Sequence, residues 1–572
     1  MMRGRVPNAA LTALLCFPAA SASAPLEPLV EAAYVDDLAQ VSALLADGAN
    51  PDAMAEDGST ALAWSSIRGN EAIARRLLDA GASPNLANAL GIPPLALAIE
   101  NGSAEVAELL LERGADPDAA RQSGETLLMT AARLGQVRVM DLLLERGANP
   151  DAREEHFGQT ALMWAAGSPE AVRLLLANGA SIEPTTRAWD VRYTIYIPTS
   201  FTLGKTGIPW NSDGHYQSGQ GGHDALFFAV RKQDQESVRM LLDAGADARS
   251  RAVDGTSSLL AALYNWVPPD GAFKPGRGAP ARAGSSQRFS PDIELALLLL
   301  DRGASATAAD TAGYTPLHAA VLAAAWVGRP RDKRSDGVYR TLPALLTLGS
   351  PPDPAPFTPD KALELVGRLL GAGADPNQQT KYPTPGPDGD VRINPAPPGS
   401  SALHIAADSG NLQLVRLLCD AGADPNLVRK DGHTPFSVAV VAANIAIIDE
   451  LIARGADLQA RYDPDDRYPD PIRAISLPRQ GQTAAHLAAG NRSTDVIRHL
   501  FSKGAPIDWA NEQGETPLDL ADHQERLQES LQRQNTDGDP EKLAKVVRPT
   551  ETTSAIRSLL ESAAKGERAD SR

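Results

Sequence analysis

The sequence predicts an all-α solenoid of about twelve helix–turn–helix units joined by hairpin finger loops. Three observations carry that reading. Residues 109–119, LLLERGADPDA, return as LLLERGANPDA at 142–152, thirty-three positions on. A glycine ending the same kind of phrase stands at Gly48, Gly81, Gly114, Gly147, Gly179, Gly245, Gly303, Gly373, Gly422, Gly455 and Gly504. The chain is 43% apolar but only 5% aromatic and rich in Ala, which suits closely approaching helices better than a β-sandwich.

Each unit opens on a phrase such as GETLLMTAARLG, GQTALMWAAG, GYTPLHAAVLA or GSSALHIAADSG. Thr near its start caps a helix, and an adjacent Pro is preorganised for the first turn. Ala pairs such as Ala131–Ala132 and Ala406–Ala407 thin that helix so that a neighbour can approach. After a Gly–polar break comes a second helix with apolar residues three and four apart, as in Val106, Leu109 and Leu110. The recurring glycine supplies the left-handed residue past its end. Pro117, Pro150, Pro376 and Pro425 follow three positions later, where a helix cannot continue. Asp-Gly pairs at Asp57, Asp254 and Asp431 turn the chain into the next unit. One such unit cannot bury its own apolar face, whereas a row of them shares a continuous core. The Leu-rich phrase is therefore packing rather than a chemical motif.

These phrases resemble the ankyrin repeat, with its T-P-L-H-x-A signature and 33-residue period, over nearly all of residues 26–565. Thr315-Pro316-Leu317-His318 and the block from Ala402 to Asn426 match it best. The resemblance implies that His318, His404 and His486 tie neighbouring turns together by hydrogen bonds. It also implies protein recognition as the usual role, with a concave face and projecting fingers as the contact surface.

Along the chain, residues 1–22 read as a signal peptide: Arg3 and Arg5, an apolar run from Ala9 to Phe17, and a small-residue exit cut after Ala22. Residues 26–185 form a first block of repeats, led by a shortened unit. Residues 186–221 are an aromatic-rich insertion, in which VRYTIYIP alternates enough for a strand or hairpin. Repeats resume over 222–379, interrupted at 265–290 and 326–359 by Pro/Gly-rich segments expected to be exposed loops with little regular structure. A further insertion occupies 380–398. Repeats and a polar C-terminal cap fill 399–565, with an insertion at 460–480, and 566–572 are expected to be a disordered tail.

Little catalytic chemistry is legible. There is no GxSxG elbow, Walker loop or GxGxxG unit, and the histidines lack metal-ligand spacing, so neither cofactor nor metal is expected. Cys419 reads as a buried structural thiol. Trp64 and Trp164 occupy a position taken elsewhere by Leu97, Ile405 and Leu487, which favours core packing. The formal net charge of −17, without a basic run, argues against nucleic acid and anionic membranes.

The best binding candidates are Trp189, Tyr193, Tyr196, Phe201, Trp210 and Tyr216 in the aromatic insertion, which either recognise a partner or cover a repeat junction. His223 and His433, each just before a first helix, are expected to be exposed at finger tips. The expected protein is a bacterial, periplasmic or secreted monomer that binds another protein without catalysis, a partner with a basic surface fitting its acidity. Narrower alternatives are a maturation helper or inhibitor of an exported enzyme, or an enzyme with a pocket at 186–221.

Overall fold

A computed structural model describes residues 27–56, 58–194, 215–263, 266–267, 288–289, 291–327, 356–381, 399–463, 480–491, 493–522, 554 and 557–559. The signal segment, Tyr196, Phe201, Trp210 and the interiors of the other four insertions lie outside the described residues. The fold is an all-α repeat array in two compact units, Met1–Trp189 with Gly221–Ser250, and Asp190–Gln220 with Arg251–Arg572.

In the first unit the helices alternate as inner and outer members of each repeat. They are α1 (Pro28–Tyr34), α2 (Leu38–Ala46), α3 (Ala61–Arg68), α4 (Glu71–Asp79), α5 (Pro94–Asn101), α6 (Ala104–Glu112), α7 (Leu127–Arg133), α8 (Val137–Glu145), α9 (Ala161–Trp164) and α10 (Pro169–Ala177). After the insertion come α11 (Ala225–Arg231) and α12 (Gln235–Asp243). Inner helices pack on inner helices and outer on outer, and α9 meets α11, and α10 meets α12, across the insertion. The stack therefore runs on as though the insertion were absent.

The second unit continues with α13 (Ser258–Leu263), α14 (Ile293–Asp301), α15 (Pro316–Val327), α16 (Pro359–Gly371), α17 (Ala402–Ser409), α18 (Leu412–Asp420), α19 (Pro435–Val441), α20 (Ile445–Ala453), α21 (Ala484–Gly490) and α22 (Thr494–Ser502). Two small strand pairs accompany the helices, β1 (Trp189–Thr194) with β2 (His215–Gln220), and β3 (Trp266–Val267) with β4 (Arg288–Phe289). The second pair is antiparallel, Trp266 opposite Phe289, so the insertion expected to be structureless is pinched shut by a short ladder where it leaves and rejoins the repeat.

Local chemistry explains the repeat. Thr60, Thr126 and Thr434 cap their helices with the hydroxyl, and Asn70, Asn411 and Asn444 cap the outer ones. The glycine after each outer helix has φ between +79° and +101° from Gly48 to Gly504, the left-handed region closed to most side chains. Ala61, Ala131, Ala132, Ala406 and Ala407 are buried, as are the Leu, Val and Ile rows behind them. Cys419 is buried too, and burial pushes its thiol up to about 11.

Candidate functional site

Between each glycine and the next inner helix the chain folds into a finger, and every finger is closed by the same backbone stem. Ala55 N donates to Ser59 O and Gly58 N to Ala55 O, both at 2.9 Å. Arg121 N donates to Glu125 O at 2.9 Å and Gly124 N to Arg121 O at 2.8 Å. The three finger insertions keep that stem. Thr186 N donates to His223 O at 2.9 Å and Gly222 N to Thr186 O at 3.1 Å. Thr380 pairs in the same way with Ser400 and Gly399, at 2.9 and 2.7 Å. Tyr462 does so with Gln482 and Gly481, at 2.8 and 3.0 Å. Each insertion thus replaces the tip of a hairpin and leaves its base intact.

Side chains reinforce these bases. Six residues past the repeat glycine, Gln379 donates from Nε2 to Gly399 O (2.7 Å) and to Val428 O of the next finger (2.9 Å). Arg461, at the same position, reaches Gly481 O at 3.3 Å and Ala510 O at 3.0 Å, and lies over the Trp509 ring. Arg153, one finger ahead of the aromatic insertion, bonds Gly158 O at 2.9 Å and also Thr185 O. Arg187 returns a bond to Glu155 O, and its backbone N donates to Phe157 O at 2.7 Å. The sequence reading missed these residues; the available signal was a long polar side chain at one repeat position beside each insertion.

The root of the aromatic insertion is tight. Gly221 has φ +101°, and a Cβ there would strike Arg187 O. His223, expected to be exposed, is 6% accessible: its ring stacks on Phe227 at 4.2 Å, and its backbone N–H donates to Thr186 Oγ1 at 3.0 Å. Next to it Asp224 caps α11 through Phe227 N at 2.7 Å, and burial raises its carboxyl above the usual range. His433 is likewise 3% accessible, its Nδ1 facing Ser437 Oγ at 3.0 Å. Both were misplaced because the residue before the N-cap of an inner helix turns inward onto that helix, His223 against Phe227 and His433 against Ser437, rather than standing at a tip. Of the six aromatics, Trp189 and Tyr193 lie on β1 and Tyr216 on β2, so one strand pair carries these three.

His318, His404 and His486 behave as the resemblance implied. In each, Nδ1 lies by the N-cap residue three positions earlier: Thr315 Oγ1 at 2.8 Å, Ser401 Oγ at 2.9 Å, Thr483 Oγ1 at 2.9 Å. Nε2 reaches the next finger's carbonyl, Ser400 O at 3.2 Å, His433 O at 3.2 Å or Glu515 O at 2.9 Å. Trp64 is a core residue whose Nε1 donates to Ser59 Oγ at 3.1 Å, while Trp164 is half-buried with Arg133 over its ring at 5.8 Å.

Outer-helix charges pair between repeats. Arg113 meets Asp79, Arg138 meets Glu105 and Glu108, and Arg173 meets Glu236 in the first unit. In the second, Lys361 meets Glu294, Arg368 meets Asp301, Arg416 meets Glu450, and Arg454 meets Asp420. Among the described residues no group of three His, Cys, Asp or Glu side chains is placed to hold a metal, and no helix is long and apolar enough to cross a membrane.

Comparison with known proteins agrees with this architecture. A family model described as ankyrin repeats (3 copies) matches residues 29–121, 114–186 and 359–462. The chain is 41% identical over 127 residues to cyclin-dependent kinase 4 inhibitor B of Rattus norvegicus, covering 22% of this chain and 85% of that protein. It is 35% identical over 142 residues to B-cell lymphoma 3 protein of Homo sapiens, covering 23% of this chain and 28% of that protein. With a transient receptor potential cation channel subfamily A member 1 homolog of Caenorhabditis elegans it shares 30% identity over 123 residues, 22% of this chain and 9% of the other. It thus spans less than a third of the length of these last two relatives.

Proposed function

The chain belongs to the ankyrin-repeat family, and we propose that it is a non-catalytic scaffold that binds a protein partner through its inner helices, its fingers and the aromatic insertion at 186–221. The observation that carries this reading is where the additions sit. Three insertions leave through finger stems whose backbone bonding is unchanged, while outer-helix charges pair with one another. Each insertion is thereby carried on the closed base of a finger within a packed stack of helices, which spares the entropy of ordering that base on binding. Trp189, Tyr193 and Tyr216 on that strand pair are of the residue types that dominate interface energetics. The net charge of −17 favours a partner with a basic surface.

We assign export, and a bacterial periplasm as its setting, on the support of the signal-like residues 1–22. The similarity to a rat protein named as a kinase inhibitor supports a narrower form of the same idea, inhibition of an exported enzyme. Affinity capture from the periplasm tests the site. The intact protein is compared with a form in which 188–220 are replaced by a two-residue turn that preserves Thr186 and Gly222. Loss of the partner from the shortened form is expected; retrieval at equal strength refutes the site. Turnover of any substrate by purified protein refutes the non-catalytic reading.

A further inference from the structure

Among the described residues, histidines that bond the following finger are unevenly distributed. At the third position after the N-cap of each inner helix, the first unit has Val30, Ala63, Ala96, Met129, Met163 and Phe227. In the second unit three inner helices carry a buried histidine there, His318, His404 and His486, while α13 has Leu260 and α19 has Ser437; the buried His223 of the first unit lies ahead of its N-cap and outside this position. Their bonding makes them proton-sensitive in one direction. Backbone N–H groups of Thr315, Ser401 and Thr483 donate to the Nδ1 atoms at 3.3, 3.1 and 3.1 Å, so Nδ1 is an acceptor and the ring is neutral. Nε2–H is then the donor that holds the following finger. A proton arriving at Nδ1 removes the acceptor and turns two donors against each other in a buried site.

We propose that the unit containing Arg251–Arg572 carries an acid-triggered release of its finger cross-links, and that the unit containing Met1–Trp189 lacks it.

The charged surroundings of each ring fix the sign. His318 faces Asp375 and the backbone carbonyls of Ser400 and Gln378, yet burial dominates and brings it down to about 4. Around His404 stand Arg429, Asp431 and His433; burial first, and then the Arg429 charge, hold it well below the ordinary imidazole range. His486 faces Arg461, Glu515 and Asp519, and burial again lowers it. A group whose folded pKa lies below its unfolded one binds protons preferentially in the unfolded state. The stability it contributes is therefore whole above about pH 6.5 and drains away as the pH falls towards 4. For His318 alone the folding equilibrium shifts by on the order of a hundredfold across that window. Asp224 in the first unit has a raised pKa and moves the other way, its unit gaining as it is protonated.

The test is hydrogen exchange on the full-length protein at pH 7.0 and 4.5, read peptide by peptide and corrected for intrinsic exchange. Dilute samples with light-scattering control are needed because the sequence pI is about 5.1. Protection over α15, α17 and α21 is expected to fall at least tenfold more than protection over α3, α5 and α7. Equal loosening of both units, or no loosening of the second, overturns the proposal. His404→Asn keeps an acceptor and a donor without a titrating ring and is expected to flatten the response around α17. Should that variant not fold, Met129→His carries the converse test: the acid response is expected to appear around α7, and its absence there counts against the mechanism.

Discussion

Ala443 shows how far a single residue can depart from the repeat's preference. It closes the turn between α19 and α20 with φ +54°, where equivalent turns use Gly69, Gly102 and Gly410. A left-handed alanine costs about 1–2 kcal/mol, more than the extra unfolded-state freedom a glycine brings. Ala443→Gly is therefore expected to leave stability unchanged or raise it by about 0.5 kcal/mol, against the usual sign, in urea melts. The Arg429–Asp431 pair behaves oppositely. Its side chains are 1% and 3% accessible and make a two-point contact at 2.9 and 2.7 Å, with Arg429 Nη1 left without a hydrogen-bond partner. Burial alone would raise the Asp431 carboxyl, but the Arg429 charge and hydrogen bonds hold it well below the carboxylate range. Its stabilisation is thus present above the unfolded value near 3.9 and lost only as the pH falls below that. Asp431→Asn strands a buried guanidinium and is expected to cost about 3–5 kcal/mol at pH 7, read from the same melts.

At the scale of the element, the finger is the unit to reason with. Asn377 accepts from Asp424 N at 2.8 Å and donates to Gly422 O at 2.9 Å, and Asn426 repeats this with Asp457 and Gly455. Asn426→Ala removes both bonds and is expected to cost about 1–2 kcal/mol, with exchange rising at Asp457. The stem also makes a prediction about its own cargo. The eighteen residues between Thr380 and Gly399 close a loop that a two-residue turn would close with less entropy loss. Shortening it while keeping both stem residues is expected to stabilise the fold by up to about 2 kcal/mol. A large loss instead would show that the insertion supports the repeat beneath it. Helices, caps and turn glycines were legible because each follows from a few adjacent residues: Thr60, Asn70 and Gly81 announce themselves. The burial of His223 and His433 was not, since it is set by the side chains folded against them, Phe227 and Thr186 for the first, Ser437 and Tyr462 for the second. The Arg153 and Gln379 bridges were legible only by half: the long polar side chain marks the position, but its acceptors are backbone carbonyls that leave no trace in residue type.

At the scale of the whole molecule, cohesion among the described helices of each unit passes between neighbours. Within each unit a helix touches its own partner and the repeats before and after it, and the outer-helix ion pairs are solvent-exposed contacts worth well under 1 kcal/mol each. Stability is then a sum along a line, and damage should stay where it is made. Leu143 in α8 and Leu500 in α22 are fully buried at equivalent places in the first and second units. Truncating either to Ala is expected to cost about 2–5 kcal/mol locally. In a globule with one core, either change would loosen exchange everywhere at once. In a linear array, Leu500→Ala is expected to strip protection from α20 to α22 while α3 to α9 keep theirs, and Leu143→Ala to do the reverse. Uniform loss of protection from one substitution would mean that the repeats share more than their nearest neighbours, and the argument for binding from closed finger bases would lose its support.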